Sequence, residues 1–174
     1  MEALALSPDG SSLATAVGIE VRLWETATGK PLGTLKGEED PLASIRLFER
    51  FLALAYSPDG CMLAGGTLGM PLYLWDVQRQ QLLRRLQAER DSVASLVFSP
   101  DGDSLALSTD YEDAIWIHDV RTGRPEAMLR GHRNSVTALA YSADGSTLVS
   151  GGRDGLVMTW DVRTRSLIDV FTPV

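Results

Sequence analysis

The tetrapeptide Ser-Pro-Asp-Gly begins at Ser7, Ser57 and Ser99, and Ser-Ala-Asp-Gly begins at Ser142. The later copies are spaced by roughly 43 residues, a period that marks a repeated supersecondary unit. A second marker keeps step with the first: LWE with Trp24, LWD with Trp75, IHD with His118 and TWD with Trp160. Two different markers on one period mean that the chain is one unit written four times. Every candidate motif must therefore be read first as a part of that unit.

Within a copy, an apolar run such as VTALAYS meets an Asp-Gly turn, and STLVSGG, LVMTW and SLIDVF follow, each separated from the next by a further turn. Runs this short, bounded by Gly, Asp and Pro, read as four strands. Asp-Gly suits tight hairpins because glycine reaches positive φ without a Cβ clash. VASLVFS and LALAYS are apolar at nearly every position, so both faces of these strands are expected to be covered, as in sheets stacked face to face.

A period near 43 residues, four strands per unit and a terminal Trp-Asp together resemble the WD-repeat family of β-propellers. The residues carrying the likeness are GHRNSV, YSADGSTLVSGGRDG and MTWDVRT in the fourth copy, and SPDG with LWE or LWD in the first two. The resemblance covers the whole chain. It implies an all-β fold, a β-propeller of four-stranded antiparallel blades with four blades in this chain, which is half or a fragment of a larger ring. The expected organisation is one unit over 1–174, with blades near 1–36, 52–87, 93–130 and 136–172 and an insertion over 37–51.

His132, Ser150 and Asp154 invite comparison with a hydrolytic triad. The resemblance implies another role, since WD repeats close a buried hydrogen-bonded tetrad of His, Ser or Thr, Asp and Trp, and His132, Ser150, Asp154 and Trp160 match its positions. A ring of four buried polar groups in which each finds a partner is physically sound. Catalysis would need Ser150 exposed beside an oxyanion site, and no Gly-x-Ser-x-Gly elbow surrounds it.

The other copies depart from this pattern. Copy one has Thr15 and Trp24 but Gly18 where the acid belongs, and copy two has Gly65 and Gly69 in place of Ser and Asp. Copy three has Glu89 for His, Leu107 for Ser and His118 for Trp, with Glu112 or Asp113 available for the acidic position. His118 and Asp119 do not suggest a metal, because the chain has 2 histidines and a site needs three or four converging ligands. GGTLGM lacks the Lys and Ser/Thr of a phosphate loop. The expectation is therefore no enzyme, no metal and no cofactor.

Composition narrows the partners. A net charge of −7 opposes phosphate backbones, so nucleic acid is an unfavoured ligand. The longest apolar-looking region, IRLFERFLALAY, is broken by Arg46, Glu49 and Arg50, far short of the roughly 20 apolar residues of a spanning helix. A single cysteine, Cys61, and an N-terminus without signal-peptide character lead to the expectation of a cytoplasmic protein.

Aligning copy four on copy one sets Met1 opposite Val136, which makes four complete blades with two open terminal faces. Open stacked faces seek partners. Self-association into an eight-bladed ring, a piece of a longer propeller and a closed four-bladed ring are the alternatives. In the insertion, Asp40 and Pro41 read as the N-cap and first position of a short helix with Leu42, Ile45, Phe48 and Phe51 on one face. That helix is either packed on its own propeller or a docking element. The function implied by the resemblance is a scaffold binding other proteins through blade-top loops. Arg46, Phe48, Arg50, Arg90, Tyr111, Arg133 and Arg153 are the candidate contacts, being residue types that dominate interfaces. The alternative is a purely structural assembly unit.

Overall fold

A computed structural model describes residues 3–37, 50–68, 72–86 and 92–172. These form sixteen strands and, among the described residues, no helix. The first sheet is Ala3–Leu6 (β1), Ser12–Val17 (β2), Glu20–Glu25 (β3) and Pro31–Lys36 (β4). The second is Phe51–Tyr56 (β5), Met62–Thr67 (β6), Leu72–Asp76 (β7) and Gln81–Leu86 (β8). Val93–Phe98 (β9), Ser104–Thr109 (β10), Ala114–Asp119 (β11) and Pro125–Arg130 (β12) make the third. Val136–Tyr141 (β13), Thr147–Gly152 (β14), Val157–Asp161 (β15) and Ser166–Phe171 (β16) make the fourth. Each sheet is an antiparallel meander in chain order, which is a propeller blade. The chain divides into two compact units at Val93/Ala94, with blades 1 and 2 in the first and blades 3 and 4 in the second.

The four Ser-x-Asp-Gly turns share one hydrogen-bond relay. In blade 1 the Ser7 hydroxyl donates to Asp9 Oδ1 (2.6 Å) and accepts the Ser12 amide (2.9 Å), while Asp9 Oδ1 also accepts the Ser11 amide (3.0 Å). Ser57/Asp59, Ser99/Asp101 and Ser142/Asp144 repeat it, with hydroxyl-to-carboxylate distances of 2.5, 2.5 and 2.6 Å. The glycine closes each turn by donating its amide to the serine carbonyl, at φ values of +71° to +79° that side chains resist. These turns fix the length of the first hairpin in every blade and hence which side chains face which way.

Within each unit the second blade lays one face on the opposite face of the first. In unit 1, Leu63, Tyr73 and Trp75 of blade 2 pack with Ala14, Val21, Leu23 and Leu35 of blade 1. In unit 2, Leu148, Met158 and Trp160 of blade 4 pack with Ala106, Ile115, Ile117 and Leu129 of blade 3. Phe51, assigned by its spacing to the apolar face of a helix, instead opens β5 and is buried edge-on against Tyr73 and Trp75, with ring centroids 5.6 and 5.4 Å apart. Aromatic residues at both ends of FLALAY favour strand, and the buried Phe51 ring anchors it there. Residues 40–49, where the rest of that helix was expected, lie outside the described residues.

A second inter-blade contact recurs. Gln80 Nε2 donates to the Leu32 carbonyl (2.9 Å) in unit 1, and Arg165 Nη1 donates to the Glu126 carbonyl (2.7 Å) in unit 2. Gln80 and Arg165 each follow the blade's Trp by five positions, and both hold left-handed backbone, φ 53° and 58°. Blades 1 and 3 have Gly29 and Gly123 at that position, also left-handed.

Candidate functional site

The fourth blade brings His132, Ser150, Asp154 and Trp160 together. Ser150 lies on β14 and Trp160 two registers away on β15, so both point to one face of the sheet. Trp160 Nε1 donates to Ser150 Oγ at 2.8 Å, and Ser150 Oγ lies 2.8 Å from His132 Nε2. His132 Nδ1 is 3.1 and 3.0 Å from the two oxygens of Asp154. With a neutral imidazole the network runs one way: indole N–H to hydroxyl oxygen, hydroxyl to Nε2, Nδ1–H to carboxylate.

Asp154 also ties down two loops. Its Oδ2 accepts the Arg133 amide at 2.8 Å and its Oδ1 the Leu156 amide at 3.1 Å. Burial pushes this carboxyl's pKa up, but the two amides and the His132 ring outweigh burial and hold it below the usual carboxylate range. Ser150 is 1% exposed, and its oxygen is engaged on both sides. A sealed hydroxyl offers no route to a substrate carbonyl, so the arrangement fastens strands rather than attacking ligands.

A glycine makes the ring possible. A Cβ on Gly152 would stand 2.6 Å from His132 Nδ1 and 2.7 Å from Asp154 Oδ1. At the register-equivalent position the other blades carry Val17, Thr67 and Thr109, which take up the space that the imidazole needs. The second glycine of STLVSGG is therefore a readable sign of a complete tetrad that the residue-type search passed over.

The remaining indoles find other acceptors. Trp24 Nε1 donates to Thr15 Oγ1 (2.8 Å), half of the fourth blade's arrangement. Gly65 gives Trp75 no hydroxyl, and Trp75 Nε1 donates to the Lys36 carbonyl of blade 1 (2.7 Å). In blade 3, His118 takes the tryptophan position and Leu107 the serine position, both buried. Trp116, two residues before His118, donates to Glu112 Oε2 (2.8 Å), while Asp113 pairs with Arg130 (3.1 Å).

The loops at the tetrad end of unit 2 hold the candidate contacts. Tyr111 is 81% exposed, and Arg133 and Arg153 are exposed. Their loops are stitched together: the Ser135 hydroxyl donates to the Asp110 carbonyl, and the Arg153 amide donates to the Ser135 carbonyl (2.8 Å). Arg50 belongs to unit 1, exposed just before β5, where its carbonyl accepts the Leu68 amide (2.9 Å). Arg46, Phe48 and Arg90 lie outside the described residues.

Comparison with known proteins adds the following. Residues 123–161 match the family described as WD domain, G-beta repeat. A WD repeat-containing protein, VIP3, of Arabidopsis thaliana is 35% identical over 103 residues, 56% of this chain and 32% of VIP3. Meiotic fizzy-related protein 1 of Schizosaccharomyces pombe is 27% identical over 158 residues, 89% of this chain and 35% of that protein. A chain in the crystal structure of a mitotic checkpoint complex superposes with a TM-score of 0.84 at 26% identity, over 99% of this chain and 49% of that one. This chain spans about a third of the length of these two curated relatives.

Proposed function

We propose that this chain, whose fourth repeat matches the WD domain, G-beta repeat family and whose blades superpose on those of a chain in the mitotic checkpoint complex, is a protein-binding scaffold whose contact surface is the loop rim at the tetrad end of unit 2. One observation carries the reading: Tyr111 stands 81% exposed on loops cross-linked to those of Arg133 and Arg153. A large amphipathic side chain held on a stiff frame loses little entropy on binding, and Tyr and Arg are the residues on which interfaces most depend. The tetrad supplies the stiffness through Asp154, which holds the Arg133 and Leu156 amides. The solved relative was itself seen within a complex, which supports the same role. On sequence grounds Arg46, Phe48, Arg50 and Arg90 are further candidate contacts on other loops of the chain.

Affinity capture with the natural chain and with a Tyr111→Ser, Arg133→Glu, Arg153→Glu chain, compared by quantitative mass spectrometry, tests the rim. A set of proteins lost with the triple variant while thermal unfolding is unchanged is expected. Identical sets overturn the reading. Our reading puts the scaffold in the reducing cytoplasm, where exposed Cys61 stays a thiol whose pKa the neighbouring Asp59 carboxylate raises.

Self-association is the second activity we infer. It is supported by β16, exposed at all of its residues, and by Leu4 and Leu6 of β1, exposed by 55% and 56%. The equivalent positions in blade 2, Leu54 and Tyr56, are buried.

A further inference from the structure

Each of the two units makes the same blade-to-blade contact. In each unit the face bearing the blade's tryptophan covers the preceding blade, and an outer-strand leucine sits under it. Those leucines are Leu35, paired in register with Val21, and Leu129, paired with Ile115, and both are buried. The register-equivalent residue of blade 4 is Phe171, paired with Val157, and it is 49% exposed. Blade 4 thus presents the knob of this contact half exposed.

Blade 1 presents the hole. Its tryptophan-bearing face is the counterpart of the faces that cover Leu35 and Leu129. Here it holds a cavity of about 440 Å³ lined chiefly by Leu13, Thr15, Val17 and Trp24. The indole N–H is already satisfied by Thr15, so the cavity asks for an apolar occupant. Val17 at its rim is about half exposed.

We propose that Phe171 of one copy of this chain seats in the Leu13/Thr15/Val17/Trp24 cavity of a second copy, a head-to-tail contact of blade 4 on blade 1. The proposal rests on the self-association reading and assigns its contact residues. A second copy is the occupant because, among the described residues, the exposed knob and the open hole occur on the same chain. Each is also the missing half of an interface that the chain builds internally. Such a contact is heterologous: it closes into a ring where the rotation allows and runs on as a filament otherwise, and both products exceed one chain in mass. Gly29 stands where Gln80 and Arg165 reach across in the internal contacts, so this one lacks that hydrogen bond and is dissociable on dilution.

Sedimentation of the whole chain over a range of concentrations tests the contact. The natural chain is expected to exceed monomer mass as concentration rises. Val17→Arg and Phe171→Arg, both at exposed positions, are each expected to sediment as monomers. Mixed one to one they are expected to form a heterodimer, since the first keeps its Phe171 and the second its cavity. Leu4→Glu replaces Val17→Arg if the latter fails to fold. A natural chain that stays monomeric overturns self-association and contact together. Self-association that survives in either variant, or a mixture that stays monomeric, overturns the contact alone.

Discussion

The carboxylates of this chain act as fasteners, and their value depends on their being ionised. Asp9 and Asp144 accept, first, the hydroxyl of the serine that opens their turn and then the hydroxyl and amide of a following serine, and both pKa values fall to about 2. Asp59, Asp101 and Asp154 are also lowered, the first two mainly by the turn serine's hydroxyl and the third despite its burial. A carboxyl whose folded pKa lies below its unfolded value of about 3.8 contributes stability that is fully present above that value. The contribution is lost as pH falls through the folded pKa. Melting temperature is therefore expected to be flat from pH 7 to 5 and to drop steeply between about pH 4 and 2, with the drop reduced in an Asp9→Asn, Asp144→Asn chain. At neutral pH, Asp154→Ala is expected to cost about 1–3 kcal/mol in urea unfolding, because His132 and two amides lose their acceptor, whereas Glu112→Ala costs less at its part-buried site. The tetrad residues were legible because family likeness fixed their roles. The serine-to-aspartate relay was not, since Asp-Gly alone accounts for a turn and the hydroxyl's second bond appears only when the strand returns.

At the scale of strands and turns, the position five after each tryptophan separates the blades. Blades 1 and 3 have glycine there, while blades 2 and 4 hold Gln80 and Arg165 at positive φ and use their side chains to grip the preceding outer strand. A left-handed non-glycine residue carries a penalty of about 1–2 kcal/mol, which a hydrogen bond on an exposed surface offsets only in part. Arg165→Ala loses the bond and keeps the strain, whereas Arg165→Gly loses both. The glycine variant is expected to be the more stable of the two by about 1 kcal/mol, measured by urea unfolding, and the same order is expected at Gln80. Strand number and order were plain from the spacing of turns, but this grip was not. A Gln or Arg in a polar turn looks like solvated surface until its φ and its distance to a neighbouring carbonyl are known. Phe51 shows the opposite error: a helical spacing of apolar residues was followed one residue too far, into a strand whose aromatic partners lie in β7.

Over the whole molecule, the net charge of −7 gives a negative field, and the loops of Arg133 and Arg153 are joined to one on which Tyr111 is flanked by Asp110, Glu112 and Asp113. The uneven burial of equivalent positions was beyond the reach of sequence. Leu4 and Leu54, or Leu35 and Phe171, read alike as apolar strand residues, and only packing shows which are covered.

Both histidines of the chain are buried at 3% exposure, and both lie in the second unit, His118 on β11 and His132 in the loop that leads into β13. A sample enriched with ring-labelled histidine would carry two imidazole signals, with His118 reporting on blade 3 and His132 on blade 4. Loosening of the fourth blade's strands could then be followed at one atom pair without a label in the first unit. The scarcity of this residue, which argued against a metal, makes the protein its own two-channel probe of how its second half comes apart.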